Sequence, residues 1–188
     1  EDIKLVNITQ NFGHIVFKDG STKAVGYNNH GQLGNGNVTQ QNNIIDTLSD
    51  YKVDFLTSGS YHVLFTTDEG EVYGCGHNNY GQLGDASVTA RSTPVRVMKN
   101  HNVIDIVCGY DHTLFLTDKN KVYGCGRNDQ GQLGDETVTS RNTPVIILPD
   151  LDIISMGASH QNSYFVTDNY ELYVTGYNQY GELGDSSK

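Results

Sequence analysis

The sequence predicts an all-β protein: a β-propeller of four-stranded antiparallel blades, with about four blades present and the ring therefore incomplete. Three observations predict it. A glycine-rich motif returns at fixed spacing, its first glycines standing at Gly26, Gly76, Gly126 and Gly176. A constant period in this range is the mark of a propeller, a solenoid or an array. Between the motifs the chain offers only short apolar runs bounded by turn residues, too short for helices. The composition agrees, with 21 Gly against 3 Pro, 12 Tyr, 6 Phe and no Trp, a turn-rich β profile.

The third unit shows the elements in order. Val103 to Cys108 alternates as a first strand into Gly109, and His112 to Thr117 follows after a tight turn. Asp118-Lys-Asn-Lys121 is a polar hairpin loop before a third run, Val122 to Cys125. After the glycine motif, a polar stretch leads to a fourth strand, Thr143 to Leu148. Pro144, matched by Pro94, has no N–H for a ladder, so the fourth strand belongs at an edge. The units are expected over 1–50, 51–100, 101–150 and 151–188 of one domain spanning 1–188, the last unit stopping before its fourth strand. Aligning Gly157-Ala-Ser-His160 with Gly59-Ser-Tyr-His62 and Gly109-Tyr-Asp-His112 implies compensating two-residue length changes in the last unit. Asn11-Phe-Gly-His14 implies a shortened hairpin in the first, and loops are where such changes cost least.

The motif itself reads Gly26-Tyr-Asn-Asn-His-Gly-Gln-Leu-Gly34, and recurs from Gly76 to Gly84, from Gly126 to Gly134 and from Gly176 to Gly184. Its first glycine turns the chain sharply at a strand end. Asn28, Asn78, Asn128 and Asn178 suit a local turn held by a side-chain hydrogen bond to nearby backbone. Gly31, Gly34, Gly81, Gly131 and Gly181 suit close backbone approach. Leu33, Leu83, Leu133 and Leu183 are its lone apolar side chains and are expected to plug the core between blades.

This pattern resembles the regulator of chromosome condensation repeat family, over nearly the whole chain and in four copies. The resemblance implies a seven-bladed propeller of four-stranded blades. The tryptophan often found before that family's motif is absent, and Val25, Cys75, Cys125 and Thr175 stand there instead. Kelch repeats are disfavoured because their Gly-Gly pair and Trp are missing. Four units leave such a ring open, which is read here as a fragment of a longer protein, with ring completion by self-association or an open stack as alternatives.

Charge and motifs narrow the function. Twelve basic and 22 acidic residues give a formal charge of −10, which disfavours direct nucleic-acid binding. No apolar run approaches the ~18 residues of a membrane span. Cys75, Cys108 and Cys125 read as packed thiols, compatible with a cytosolic or nuclear setting. Asn7-Ile-Thr9 and Asn37-Val-Thr39 fit the glycosylation sequon, a triplet common by chance. His14, His62, His112 and His160 are read as one structural histidine per blade, because a catalytic site needs one asymmetric constellation. Asp129, Asp135 and Glu136 lack EF-hand spacing and read as a solvated loop. No catalytic, metal or cofactor site is expected.

What varies inside the constant motif is Tyr27, His77, Arg127 and Tyr177, then His30, Tyr80, Gln130 and Tyr180. Varied Tyr, His and Arg on a fixed scaffold is the pattern of a recognition surface. The candidate partner-binding residues are therefore His77, Tyr80, Arg127, Gln130, Tyr177 and Tyr180. The expected function is a non-enzymatic protein-interaction scaffold. The family resemblance implies an alternative, guanine-nucleotide exchange on a small Ran-like GTPase, although a unit length of fifty residues leaves no room for a large inserted wedge. Ultraviolet sensing, also known in the family, needs tryptophans that this chain lacks.

Overall fold

The computed structural model describes residues 2–186, and its regular elements there are all strands. The first sheet holds β1 (Ile3–Ile8), β2 (Phe12–Phe17), β3 (Thr22–Gly26) and β4 (Gln41–Thr47). The second holds β5 (Val53–Ser58), β6 (His62–Thr67), β7 (Val72–Gly76) and β8 (Arg91–Val97). The third holds β9 (Val103–Cys108), β10 (His112–Thr117), β11 (Val122–Gly126) and β12 (Arg141–Ile147). The fourth has three strands among the described residues, β13 (Ile153–Ala158), β14 (Asn162–Thr167) and β15 (Leu172–Gly176). All pairings are antiparallel and follow chain order, and the first strands of successive blades touch one another along the inner edge. Pro94 and Pro144 lie in β8 and β12, the outer edge strands, where a missing N–H breaks no ladder. These strands begin at Arg91 and Arg141, earlier than the apolar run alone predicts.

The core lies between blades, not within one. Leu33 packs with Phe12 of its own blade and with Val53, Leu56, Val63, Phe65 and Cys75 of the next. Leu83 does the same with Val103, Ile106, Phe115 and Cys125, and Leu133 with Ile153, Met156 and Phe165. The second strands of the two inner blades, β6 and β10, are thus covered on both faces, which is why β10 reads as an unbroken buried run, whereas β2 and β14 in the end blades alternate.

The strand registers correct the expected length changes. Phe12 pairs with Gly26, His62 with Gly76, His112 with Gly126 and Asn162 with Gly176, so every strand recurs without insertion or deletion. His14 and His160 therefore do not share a slot with His62 and His112. His14 occupies the position of Leu64 and Leu114, fully buried, and His160 lies in the turn before β14.

The true histidine slot works across blades. Thr113 Oγ1 donates to the Gln82 carbonyl at 2.7 Å, so it must accept from His62 Nε2 at 3.0 Å. Ser163 and His112 repeat this on the Gln132 carbonyl at 2.6 and 2.9 Å. Both imidazoles are neutral Nε2–H tautomers, with their Nδ1 atoms buried and unpartnered. Such a ring leaves no room beside it: a Cβ on Gly59 would stand 2.2 Å from the His62 ring. Where the slot holds Phe12 or Asn162, the residue in place of that glycine is Thr9 or Ser159.

One hairpin position carries avoidable strain. Gly20, Gly70, Asn120 and Tyr170 all adopt positive φ there, Tyr170 at 63° with its side chain 83% exposed. Tyr170→Gly is expected to raise stability by about 1 kcal/mol, read from the urea midpoint. A loss instead would mean that the exposed ring makes a stabilising contact.

Candidate partner-binding rim

The rim loops are fixed from beneath by buried amides. Asn28, Asn78 and Asn128 are wholly buried. Asn78 Oδ1 accepts the Leu83 N–H at 3.0 Å, and Nδ2 reaches Asp85 Oδ1 at 2.9 Å and the Ser87 and Thr89 carbonyls at 3.2 and 3.1 Å. The sequence suggests a local turn, but the asparagine instead ties together a loop extending eleven residues beyond it. Asn28 and Asn128 repeat the pattern, and Asn178 keeps its bond to the Leu183 N–H at 3.0 Å. Burial alone would raise Asp85, but the bonds from Ser87, Arg91 and Asn78 outweigh it and hold the carboxyl below its usual range. Asp135 is held down likewise by Thr137, Arg141 and Asn128. Asn78→Ala is expected to cost about 2–4 kcal/mol, since several backbone groups lose a buried partner. A urea-derived loss under about 0.5 kcal/mol would show that the loop closes without it.

Glycines let the loop press on the next blade. A Cβ at Gly81, whose φ is +82°, would lie 2.3 Å from Asn142 Cα in β12. At Gly181 nothing lies within 4 Å. The motif leucines follow the same division: Leu33, Leu83 and Leu133 are 0% exposed, and Leu183 is only half-buried.

On this base stands a connected set of rings. Tyr27 contacts His30 and Tyr61 at ring-centroid distances of 6.0 and 5.6 Å, and His30 contacts Tyr61 and His77 at 5.3 and 4.8 Å. His77 continues to Tyr80 at 6.4 Å, and the Arg127 guanidinium lies 5.3 Å over the Tyr80 ring. Arg127 grips Asp129 with two bonds of 2.8 and 2.7 Å. Those bonds push Arg127 further up and Asp129 down. Burial, then the neighbouring His77, lowers His30. Behind them Gln82 receives the Tyr80 N–H at 3.1 Å and donates to Asp111 Oδ1 at 3.0 Å. His77 Nδ1 lies 2.8 Å from Gln82 Nε2 and 3.2 Å from Asp111 Oδ1. The neutral ring accepts from the glutamine, and an imidazolium would pair with the carboxylate.

Of the sequence-derived candidates, His77, Tyr80 and Arg127 are therefore brought together, with Tyr27 and His30 beside them. Tyr177 and Tyr180 form their own pair at 6.3 Å on the fourth blade, and Gln130 is exposed. Asp129 is committed to Arg127, and Asp135 to Arg141 at 2.7 Å. Among the described residues no three His, Cys, Asp or Glu side chains converge as a metal site.

The family model described as the regulator of chromosome condensation (RCC1) repeat matches residues 69–116 and 119–166, more than half of the chain. The chain belongs to the RCC1 repeat family. A second RCC1 repeat model matches residues 53–82 and 103–132. No curated protein sequence matches it. Among solved structures, human WBSCR16 shares 22% identity and a TM-score of 0.83, covering 94% of this chain and 47% of that one. Prp20p from Saccharomyces cerevisiae shares 20% identity and a TM-score of 0.85, covering 99% and 48%. Yeast RCC1 (Prp20) bound to Kap60 gives 20%, a TM-score of 0.84, and coverage of 94% and 44%. At these identities the likeness is one of fold, and the chain spans about half the length of each of these proteins.

This RCC1-repeat rim holds residues that the motif does not reveal. Tyr61, Tyr110, Asp111 and His160 lie in the turns between first and second strands, with Tyr61 and Tyr110 at 6.2 Å and Tyr110 and His160 at 4.3 Å. Their turns surround an axial groove of about 420 Å³ lined by residues 9–11, 59–61, 109–110 and 159–160 among others. The signal was present as varied residues in a constant turn, hidden by the wrong histidine register. Cys75 and Cys125 are buried, whereas half-buried Cys108 lines the groove, its thiol desolvated and pushed up to about 12.

Proposed function

We propose that this chain is a non-enzymatic binding platform whose rim docks a protein partner. One observation carries this reading: a continuous, partly exposed run of rings and a guanidinium, from Tyr27 to Arg127, stands on loops held by buried amides. Fixed aromatic and arginine side chains lose little entropy on docking and dominate interface energies. None of these side chains is needed to close the blade core. Combining His77→Ala, Tyr80→Ala and Arg127→Ala is expected to weaken a purified partner at least about ten-fold by calorimetry, while His101→Ala, on another part of the third blade, leaves it unchanged. Equal affinity in both variants would overturn the platform reading.

A second reading is guanine-nucleotide exchange on a Ran-like GTPase. It is favoured by the fold shared with Prp20p, whose structure was reported with that protein's binding to Gsp1p and histones. Against it, the described blades recur without any inserted segment that could project as a wedge. Release of labelled GDP from a loaded GTPase decides: acceleration by orders of magnitude replaces the platform reading with exchange.

A further inference from the structure

The axial groove adjoins the loop rim and is joined to it through Tyr61. Its walls are the inner turns of all four blades, and its rings are Tyr61, Tyr110 and His160, set among Asn11 and Ser60. The turns are rigid, because Ser60 N–H donates to the Tyr110 carbonyl at 3.3 Å and Tyr110 N–H to the His160 carbonyl at 3.1 Å. No Lys, Arg, Asp or Glu is among the lining residues, so the rings and the overall charge set what the groove attracts. The chain carries −10 overall, so long-range attraction favours a cation. The Tyr61 hydroxyl is raised first by Tyr110 and then by burial, with the Asp111 carboxylate a smaller contribution of the same sign as the overall charge. The protein also holds its own template. Arg127 lies 5.3 Å over Tyr80 with a carboxylate gripping its edge.

We propose that the axial groove receives an arginine side chain from a basic segment of the partner, its guanidinium laid against the Tyr61 and Tyr110 rings. The inference rests on the platform reading and names the chemistry of what docks. Arginine fits better than lysine because a planar, weakly hydrated guanidinium stacks on a ring, whereas an ammonium stays hydrated. A carboxylate is repelled, and a neutral proline-rich segment gains nothing from the charge.

The test uses the full chain and short capped glycine peptides with one central Arg, Lys, Gln, Glu or Pro, followed by amide NMR shifts. The Arg peptide is expected to give saturable shifts confined to 9–11, 59–61, 109–110 and 159–160. Gln, Glu and Pro peptides should bind at least about ten-fold more weakly. Raising salt from about 0.05 to about 0.3 M should weaken the Arg peptide. Tyr110→Leu and, separately, Tyr61→Leu should each weaken it about five-fold or more at unchanged melting temperature, so that one misfolded variant leaves the other as a test. Equal binding of the Gln or Pro peptide, no saturable shift with Arg, or indifference to both variants overturns the proposal. A partner lost with the His77, Tyr80 and Arg127 variants but indifferent to Tyr61 and Tyr110 keeps the platform and removes the groove. A partner indifferent to both sets removes both.

Discussion

Leu83→Ala is expected to lower the unfolding free energy by about 2–5 kcal/mol, with Leu133→Ala alike. Both side chains are sealed between two blades, against Phe115 and Cys125 in one case and Phe165 in the other. Truncation there loses transfer energy and leaves a cavity that two stiff sheets cannot collapse to fill. The position supplies its own control. Leu183 sits in the same motif, with Glu182 in place of the glutamine, and makes the equivalent backbone bond from its N–H to Asn178, but is half-buried. Leu183→Ala should therefore cost less than about 1 kcal/mol. Urea unfolding of the three variants reads the contrast. A cost below about 1 kcal/mol for Leu83→Ala would show that the leucine is not what joins the blades.

That leucine was legible because one apolar residue in a polar, glycine-rich loop has to be buried somewhere. The strands were legible from alternation and breakers, and the edge strands from Pro94 and Pro144. The reach of Asn78 was not, because its partners are the carbonyls of Ser87 and Thr89, and carbonyls have no sequence signature. The histidine slot was misread for a related reason. His62 is recognised by Thr113 of the next blade, 51 residues away, and His14 happens to resemble it from within the wrong register. The rim was half legible: variation inside the motif pointed to His77, Tyr80 and Arg127, while Tyr61, Tyr110 and His160 join them only once the blades are fanned about one axis.

Acid should unfold the protein well before its carboxylates titrate. Burial pulls His14 down to about 4, against the opposing Leu33 backbone, and His62 down to about 3. Burial likewise takes His112 to about 4, although Asp111 opposes it. An unfolded chain binds a proton at each near 6.5, and the folded one does not until these lower values. Stability is therefore complete above the ordinary histidine range, falls as pH drops through it, and stops falling once the folded sites also protonate. Each ring contributes on the order of 3 kcal/mol to that fall, so three together approach the whole stability of a typical domain. Urea midpoints followed by circular dichroism should drop steeply between about pH 7 and pH 4.5. The first two blades indicate how to remove one proton from the slope, since Phe12 packs with Val63 where His62 bonds Thr113. His62→Phe with Thr113→Val should flatten the curve by about one proton and raise acid stability relative to neutral pH. A wild-type midpoint unchanged across this range would mean that the buried imidazoles reach solvent and protonate without unfolding, and the sealed inter-blade histidine would have to be abandoned.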